Sequence, residues 1–305
     1  MNTLQAAGYV KLENRTLVTV EGTDRLAWLN NFCTNDLASR DPGEGCEAFV
    51  LDARGRTLAH CLILVTANAL HLVMTGKPET SLVDHLERYV IREDVRLQDV
   101  SDQCSLYWID DTDRFRSSGD PRPADWSHLP LDDQHRLVYS RIGDQPDGLL
   151  LGTGAAPERS LELLAGQGLA LQPGVAFDRQ RVRGCWPLNG TDLTADNLPQ
   201  EFRRDSRAIS FTKGCYLGQE TVARIDALGH VNRFLARLEL DPGLDEARGR
   251  PFFAEGGGDK PAGTLTSIVP MADNSLAGLG FVRCARITPD ARFQLDGKPL
   301  RLIGE

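Results

Sequence analysis

The feature that most constrains this chain is a change of pattern near Gly229. Before it, apolar runs of strand length alternate with segments of helical periodicity. After it, short apolar runs at 235–240, 264–269, 276–282 and 293–295 are separated by glycine- and proline-rich turns. That second pattern reads as a small all-β barrel or sandwich.

Upstream, residues 16–20 read as a strand, and Thr23 is placed to cap a helix over 24–32. A strand at 49–51 and a turn at 53–56 follow. Two strands, 60–66 and 70–75, are joined tightly at 67–68 like a hairpin, and a helix is expected over 78–90. A further strand at 106–109 completes this α+β unit. Residues 110–134 carry few apolar positions and read as a surface loop or junction. Strands at 136–139 and 149–151 and a helix over 157–165 mark a second small α+β unit. The expected fold is therefore α+β: two antiparallel-sheet, ferredoxin-like lobes over 1–228 and a C-terminal β-barrel over 229–305.

Composition limits the function classes. A hydrophobic content of 41% and a charged content of 25% are those of a soluble globular protein. No apolar run approaches the ~20 residues that span a bilayer. Residues 1–5 lack the basic region and apolar core of a signal peptide, so a cytoplasmic protein without a membrane partner is expected. The 34 basic and 43 acidic residues give a net charge of -9, which disfavours direct nucleic-acid binding. Two arginine clusters, Arg179, Arg181, Arg183 and Arg203, Arg204, Arg207, leave room for a local basic patch. A solvated face is the plainer reading of each. The seven cysteines are Cys33, Cys46, Cys61, Cys104, Cys185, Cys215 and Cys284. Their odd number and the lack of any C-x-x-C argue against a disulfide framework and against a compact metal motif. No metal ligand set is expected.

One cysteine stands apart. In Lys213-Gly214-Cys215-Tyr216-Leu217-Gly218-Gln219-Glu220, Cys215 follows a lysine and lies between glycines. The run 208–211 reads as a short buried strand and Gln219 as the start of a helix. On a strand-to-helix turn with a nearby lysine, the thiolate of Cys215 would be stabilised as a nucleophile or ligand. The alternative is a structural cysteine in a tight loop. Gln219 and Glu220 are expected to serve loop amides from the first helical turn. Arg224, one turn on, is expected to pair with Glu220.

The K-G-C-Y-x-G-Q-E run resembles the signature of the YgfZ-type folate-binding proteins, within the superfamily of the glycine-cleavage T-protein, an aminomethyltransferase. The resemblance extends to Leu29-Asn30-Asn31-Phe32-Cys33-Thr34-Asn35-Asp36-Leu37, to Leu51-Asp52-Ala53-Arg54-Gly55-Arg56, to Arg181-Val182-Arg183-Gly184-Cys185-Trp186-Pro187 and to Asn197-Leu198-Pro199-Gln200-Glu201. It implies two α+β lobes and a barrel around a folate-sized cavity. It also implies a tetrahydrofolate cofactor, with Asn35, Asp36, Phe177, Arg183 and Trp186 as candidate contacts. Iron–sulfur proteins or their assembly machinery, including tRNA-modifying enzymes, are the implied partners, and a monomer is expected.

The sequence also departs from the aminomethyltransferases. Their aspartate-bearing segment is matched by Gly55-Arg56-Thr57-Leu58-Ala59-His60, which has no carboxylate, and Arg183 stands where they carry a pteridine-gripping glutamate. Arginine cannot accept those hydrogen bonds, although its fork can meet a folate glutamate tail. The leading expectation is a tetrahydrofolate-binding accessory factor for iron–sulfur cluster assembly or repair, with Cys215 as the working thiol. The alternative is a folate-dependent one-carbon transferase or demethylase, for which Asp36 and Asp52 are the nearby carboxylates. A binding module without chemistry is a third.

Overall fold

The computed structural model describes residues 7–117, 119–154, 157–256, 259–287 and 291–303. The N-terminal segment 1–5 and the glycines at 257 and 258 therefore lie outside the described residues. The chain forms two open sheets and one closed barrel, as its three blocks of strand pattern dictate.

The first sheet has five antiparallel strands in the order Gly45–Leu51, Thr57–Val65, Ala69–Thr75, Arg15–Glu21 and Arg96–Asp99. Every residue of Gly45–Leu51 and Thr57–Val65 is buried, so these strands are covered on both faces, and their few polar side chains, Glu47, Thr57 and His60, are buried with the rest. One face packs Val18, Val50, Ala59, Cys61 and Ile63 under the helices Arg25–Asn30 and Leu82–Glu87. The opposite face presents Leu17, Leu62, Leu64 and Val73 to the second sheet.

That second sheet has the order Ala170–Leu171, Gly8–Lys11, Cys104–Ile109, Asp147–Thr153, His135–Ser140 and His128–Pro130. The period of two along Cys104–Ile109 sends Leu106 and Trp108 inward to the shared core. Tyr107 and Ile109 point the other way, into a smaller cluster with Leu164 of the helix Pro157–Gly166. The strand expected at 106–109 thus belongs to the second lobe, not the first. Its partner is the N-terminal strand Gly8–Lys11, nearly a hundred residues upstream, with Tyr9 opposite Ile109. Local pattern holds no trace of such a pairing.

The barrel closes through Arg233–Leu240, Leu276–Arg283, Gly263–Pro270, Pro251–Ala254, Phe293–Leu295 and Lys298–Leu302. Its interior holds Leu238, Phe252, Leu265, Val282 and Phe293. Closure leaves no edge strand unpaired.

Three other local expectations need correction. Thr23 does not cap the first helix. Its amide and hydroxyl donate to Asp94, and Asp24 takes the cap position. The second helix spans only Leu82–Glu87, because Ser81 accepts from the Asp84 amide and fixes the start there. The strand expected at 208–211 is instead the end of a helical turn, Asp205–Ala208, followed by irregular chain. Its amide at Ser210 donates to the Thr34 carbonyl, and Phe211 is exposed rather than buried.

Candidate functional site

The segment that carries Cys215 is held from three sides. Lys213 supplies the first hold. Its ammonium donates to the carbonyls of Asn30 at 2.6 Å, Cys33 at 3.0 Å and Asn35 at 2.6 Å. A lysine has three N–H donors, and all three are used here. None is left for the Cys215 thiolate, so the expected activation by the neighbouring lysine is replaced by a strut role. Tyr216 supplies the second hold. It is buried, and the Lys213 ammonium lies 5.3 Å from its ring centroid. The third hold is a close backbone approach. Gly218 has φ +80°, and a Cβ there would sit 2.6 Å from the Asp52 carbonyl. Gly55 has φ +78°, and a Cβ there would sit 2.6 Å from Thr221. Both positions therefore demand glycine. Thr221 completes the joint by donating from its hydroxyl to the Arg54 carbonyl at 2.9 Å.

Four of the resembling blocks thus meet at one place. The Leu217 amide donates to Asn31, and Gln200 donates from its side chain to the Val222 carbonyl at 2.8 Å. Cys215 itself is exposed, as are Gly214 and Phe211. It lies ahead of the helix Gln219–Leu228, whose N-cap is Gly218. Glu220 and Arg224 are both exposed and form no ion pair with each other, contrary to expectation. Gln219 likewise supplies no side-chain cap, so the helix start relies on backbone geometry.

A second feature lies where the lobes meet the barrel. A cavity of about 560 Å³ is lined by Arg183, Cys185, Arg203, Arg204, Arg207 and Arg237, among others. Asp144 is the one carboxylate on its wall among the described residues. Phe202, Phe234, Ile287, Leu302 and Ile303 supply apolar surface. Its volume is that of a small-molecule site.

The floor of this cavity is an ion pair. Arg204 is buried and grips Glu47 with one two-pronged fork, Nε to Oε1 and Nη2 to Oε2, the latter at 2.8 Å. Its third nitrogen donates to the Gly184 carbonyl at 3.2 Å. Burial pushes the Glu47 carboxyl up, but the charge and hydrogen bonds of Arg204, aided by His60, outweigh it and hold it at about 2. Glu47 is then ionised and can only accept, so His60 Nε2, 2.8 Å away, carries the proton it donates. His60 is held neutral by burial, and its Nδ1 has no partner among the described residues. Trp186 covers both groups, with its ring 4.9 Å from the Arg204 guanidinium and 4.5 Å from the His60 ring.

The predicted folate contacts divide accordingly. Arg183 lines the cavity. Trp186 does not. It lies beneath the floor, with its indole N–H donating to Thr75 at 2.8 Å. Phe177 is buried against Trp108, 6.1 Å between centroids, in the core shared by the two sheets. Asn35 spends its amide on the carbonyls of Glu47 and Arg207, tying the signature region to the first sheet. Asp36 accepts from the Ala38 amide, and Asp52 accepts from Arg54 and Arg56, so both carboxylates hold turns. Both arginine clusters were visible in the sequence. What sequence could not reveal was their division: Arg181 is buried with Asp178, Asp192 and Ser267, whereas Arg183 opens to the cavity. Arg237, on a barrel strand, joins the site without any local signal. Among the described residues, no group of three or more histidine, cysteine or acidic side chains is placed to hold a metal ion.

Comparison with known proteins shows what the chain is similar to. The chain is 26% identical over 295 residues to the putative chloroplastic transferase At1g60990 of Arabidopsis thaliana, covering 90% of this chain and 65% of that one. It is 24% identical over 266 residues to the mitochondrial iron–sulfur cluster assembly factor IBA57 homolog of Neosartorya fischeri, covering 77% and 58%. It is 26% identical over 246 residues to the tRNA-modifying protein YgfZ of Aliivibrio fischeri, covering 78% and 72%. The chain thus spans less than two thirds of the length of the plant and fungal relatives. No protein-family model matches it. Among solved structures, the glycine cleavage system aminomethyltransferase T of Bartonella henselae superposes with a TM-score of 0.81 at 17% identity, covering 98% of this chain and 85% of that one. At that identity the likeness is one of fold. The fold is thus that of the aminomethyltransferase T, and the sequence is similar to YgfZ and IBA57 proteins, in line with the resemblance to YgfZ-type proteins read from the motifs.

Proposed function

We propose that this chain is a tetrahydrofolate-binding accessory factor that supports iron–sulfur proteins, with Cys215 as its working thiol. The observation that carries the reading is the setting of Cys215. An exposed thiol sits on a loop fixed by three carbonyl contacts to Lys213 and by the Gly55–Gly218 approach. A cysteine needed only for packing has no use for such a mount. A rigid, accessible thiol is what transient ligation or sulfur exchange with a partner requires. One thiolate is one ligand of an iron–sulfur cluster, so the remaining ligands belong to the partner protein that brings it. Exposed Phe211, four residues away, offers that partner an apolar contact.

The residues of the cavity fit a folate. Arg183 and Arg237 would meet its carboxylates, and Ile287, Leu302 and Ile303 would cover its ring. When bound, the folate supplies a one-carbon carrier. The chain's own contribution is to hold its anionic groups and shield the ring from water. The relatives named as assembly and tRNA-modifying factors make iron–sulfur enzymes, including those that modify tRNA, the clients to test.

The test uses a strain lacking this gene. Cys215→Ala should leave folate affinity and thermal stability unchanged and abolish rescue of cluster-dependent enzyme activities. Full rescue by the alanine variant would remove the thiol from the reading.

A further inference from the structure

We infer that a second, smaller cavity, walled by Gln200, Asp205 and Asp226 at the C-terminal end of the helix Gln219–Leu228, binds a primary ammonium group. The inference goes beyond the folate reading and does not rest on it.

The first sign is the side-chain oxygen of Gln200. Gln200 is only 6% exposed and lines this cavity of about 270 Å³. Its Nε2 donates to the Val222 carbonyl at 2.8 Å, and a carbonyl can be met only by the nitrogen end of an amide. Oε1 is therefore the orphan, a buried acceptor with no partner among the described residues. Asp205 adds a second, since its Oδ1 is also buried and unpartnered among the described residues. Acceptors left this way cost stability until a donor meets them. Two of them on one wall call for a ligand that carries N–H or O–H groups.

Charge narrows the ligand further. Neither Asp205 nor Asp226 has an ion-pair partner among the described residues. Burial, and then Asp226, push the Asp205 carboxyl up to about 6, and Arg203 on the same wall offsets this only in part. The Arg203 guanidinium lies over Phe234, 4.3 Å from its ring centroid. Ile225, Gly229 and His230 set the cavity at the end of a 10-residue helix, where its dipole is negative. His230 is exposed and donates from Nδ1 to the Leu228 carbonyl at 3.1 Å. Two carboxylates and an amide oxygen against one guanidinium favour a cation. Three acceptors match the three N–H groups of a primary ammonium. A metal ion is the poorer match, because among the described residues no group of three or more histidine, cysteine or acidic side chains is placed to hold one. Arg203 and Phe234 also line the arginine cavity, so the two sites share a wall.

Amide NMR of the full chain, titrated with methylammonium, tests this. The resonances of Gly229, His230 and Val231 should shift to saturation at millimolar probe. Tetramethylammonium, which has the same charge and no N–H, should bind about tenfold more weakly or worse. Asp226→Asn, at an exposed position, should weaken methylammonium by roughly tenfold, as expected for a lost charge-assisted hydrogen bond. Asp205→Asn and Gln200→Met should weaken it too, with an unchanged unfolding midpoint showing that each variant folds. Glu220→Gln, on the first turn of the same helix, should change nothing. A primary ammonium has two sources, a free amine and a lysine side chain, and Nα-acetyl-lysine amide separates them. If it binds more tightly than methylammonium, the site holds and its occupant is a protein side chain. If it binds more weakly, the site holds and its occupant is a small amine. Equal binding of methylammonium and tetramethylammonium, or full binding by Asp226→Asn, overturns the inference. So does the lack of any saturable shift with methylammonium, which leaves the folate reading standing.

Discussion

Lys213 and Arg204 are both cations drawn out of water, yet the chain neutralises them differently. Lys213 is met by three backbone carbonyls, which are neutral dipoles. Arg204 is met by a carboxylate that is itself fully buried. Removing the lysine therefore leaves uncharged acceptors at a partly exposed loop, which water can reach. Removing the arginine strands an ion in the core. The two regions differ in what they need: the signature loop must be fixed but accessible, whereas the cavity floor must be closed.

The largest effect should follow from breaking the floor. Arg204→Ala leaves Glu47 charged and without its partner, a loss of about 3–5 kcal/mol for a buried pair. Denaturant unfolding should show it as a lowered midpoint. A double variant, Glu47→Gln with Arg204→Met, should recover much of that loss, because no buried charge then remains. If Arg204→Ala alone unfolds no more easily than a surface variant, the floor is open to water and the contrast with Lys213 disappears.

Acid should act next. His71 is held neutral in the folded chain, its value pushed down to about 4 by burial and then by Arg136 and His128. Unfolded, it protonates near its ordinary 6.5. The unfolded chain thus binds more protons across that window, so stability is present above pH 6.5 and lost as pH falls toward 4. The shift corresponds to on the order of 3 kcal/mol at its lower end. Glu47 acts further down, since its folded value of about 2 keeps its contribution until pH falls below 4.5. A His71→Gln variant should lessen the fall of the unfolding midpoint between pH 6.5 and 4, with His60, His85 and His128, also lowered by burial, sustaining the remainder, and should leave the loss below pH 4.5 in place.

How much of this was legible in sequence depends on the range of the interaction. Four of the six barrel strands and the hairpin 60–75 were legible because their signals are local alternation and turn residues; Pro251–Ala254 and Lys298–Leu302, short and proline-bearing, were not. The Cys215 loop was legible because its glycines and lysine lie within six residues. Its lysine was nevertheless misread, since the carbonyls it serves lie some 180 residues upstream. The floor pair was invisible for the same reason: Glu47 and Arg204 are separated by 157 positions. The division of Arg181 from Arg183 was within reach, because residues two apart on a helix do not share a face. Nothing local, however, said which face would meet the cavity.

The smaller effects concern the loop and sharpen the comparison. Lys213→Ala removes hydrogen bonds to three carbonyls that water can partly replace. A global loss of about 1–3 kcal/mol is expected, together with faster amide exchange across 210–218. Cys215→Ala should change stability by less than about 0.5 kcal/mol, because its side chain is exposed and makes no hydrogen bond among the described residues.

The alkylation rate of Cys215 separates a strut from an activator. If Lys213 only holds the loop, its three donors never touch the thiolate, and the rate at neutral pH should stay within about threefold in Lys213→Ala, set by the thiol's own ionisation. If the lysine stabilises the thiolate, the same variant should lower the rate by about tenfold, one unit in the thiol's ionisation. Lys213→Met, which keeps an apolar stem of similar reach, controls for loosening of the loop. A tenfold fall in both variants would make the lysine part of the thiol chemistry, and the two buried cations would then differ in function as well as in neutralisation.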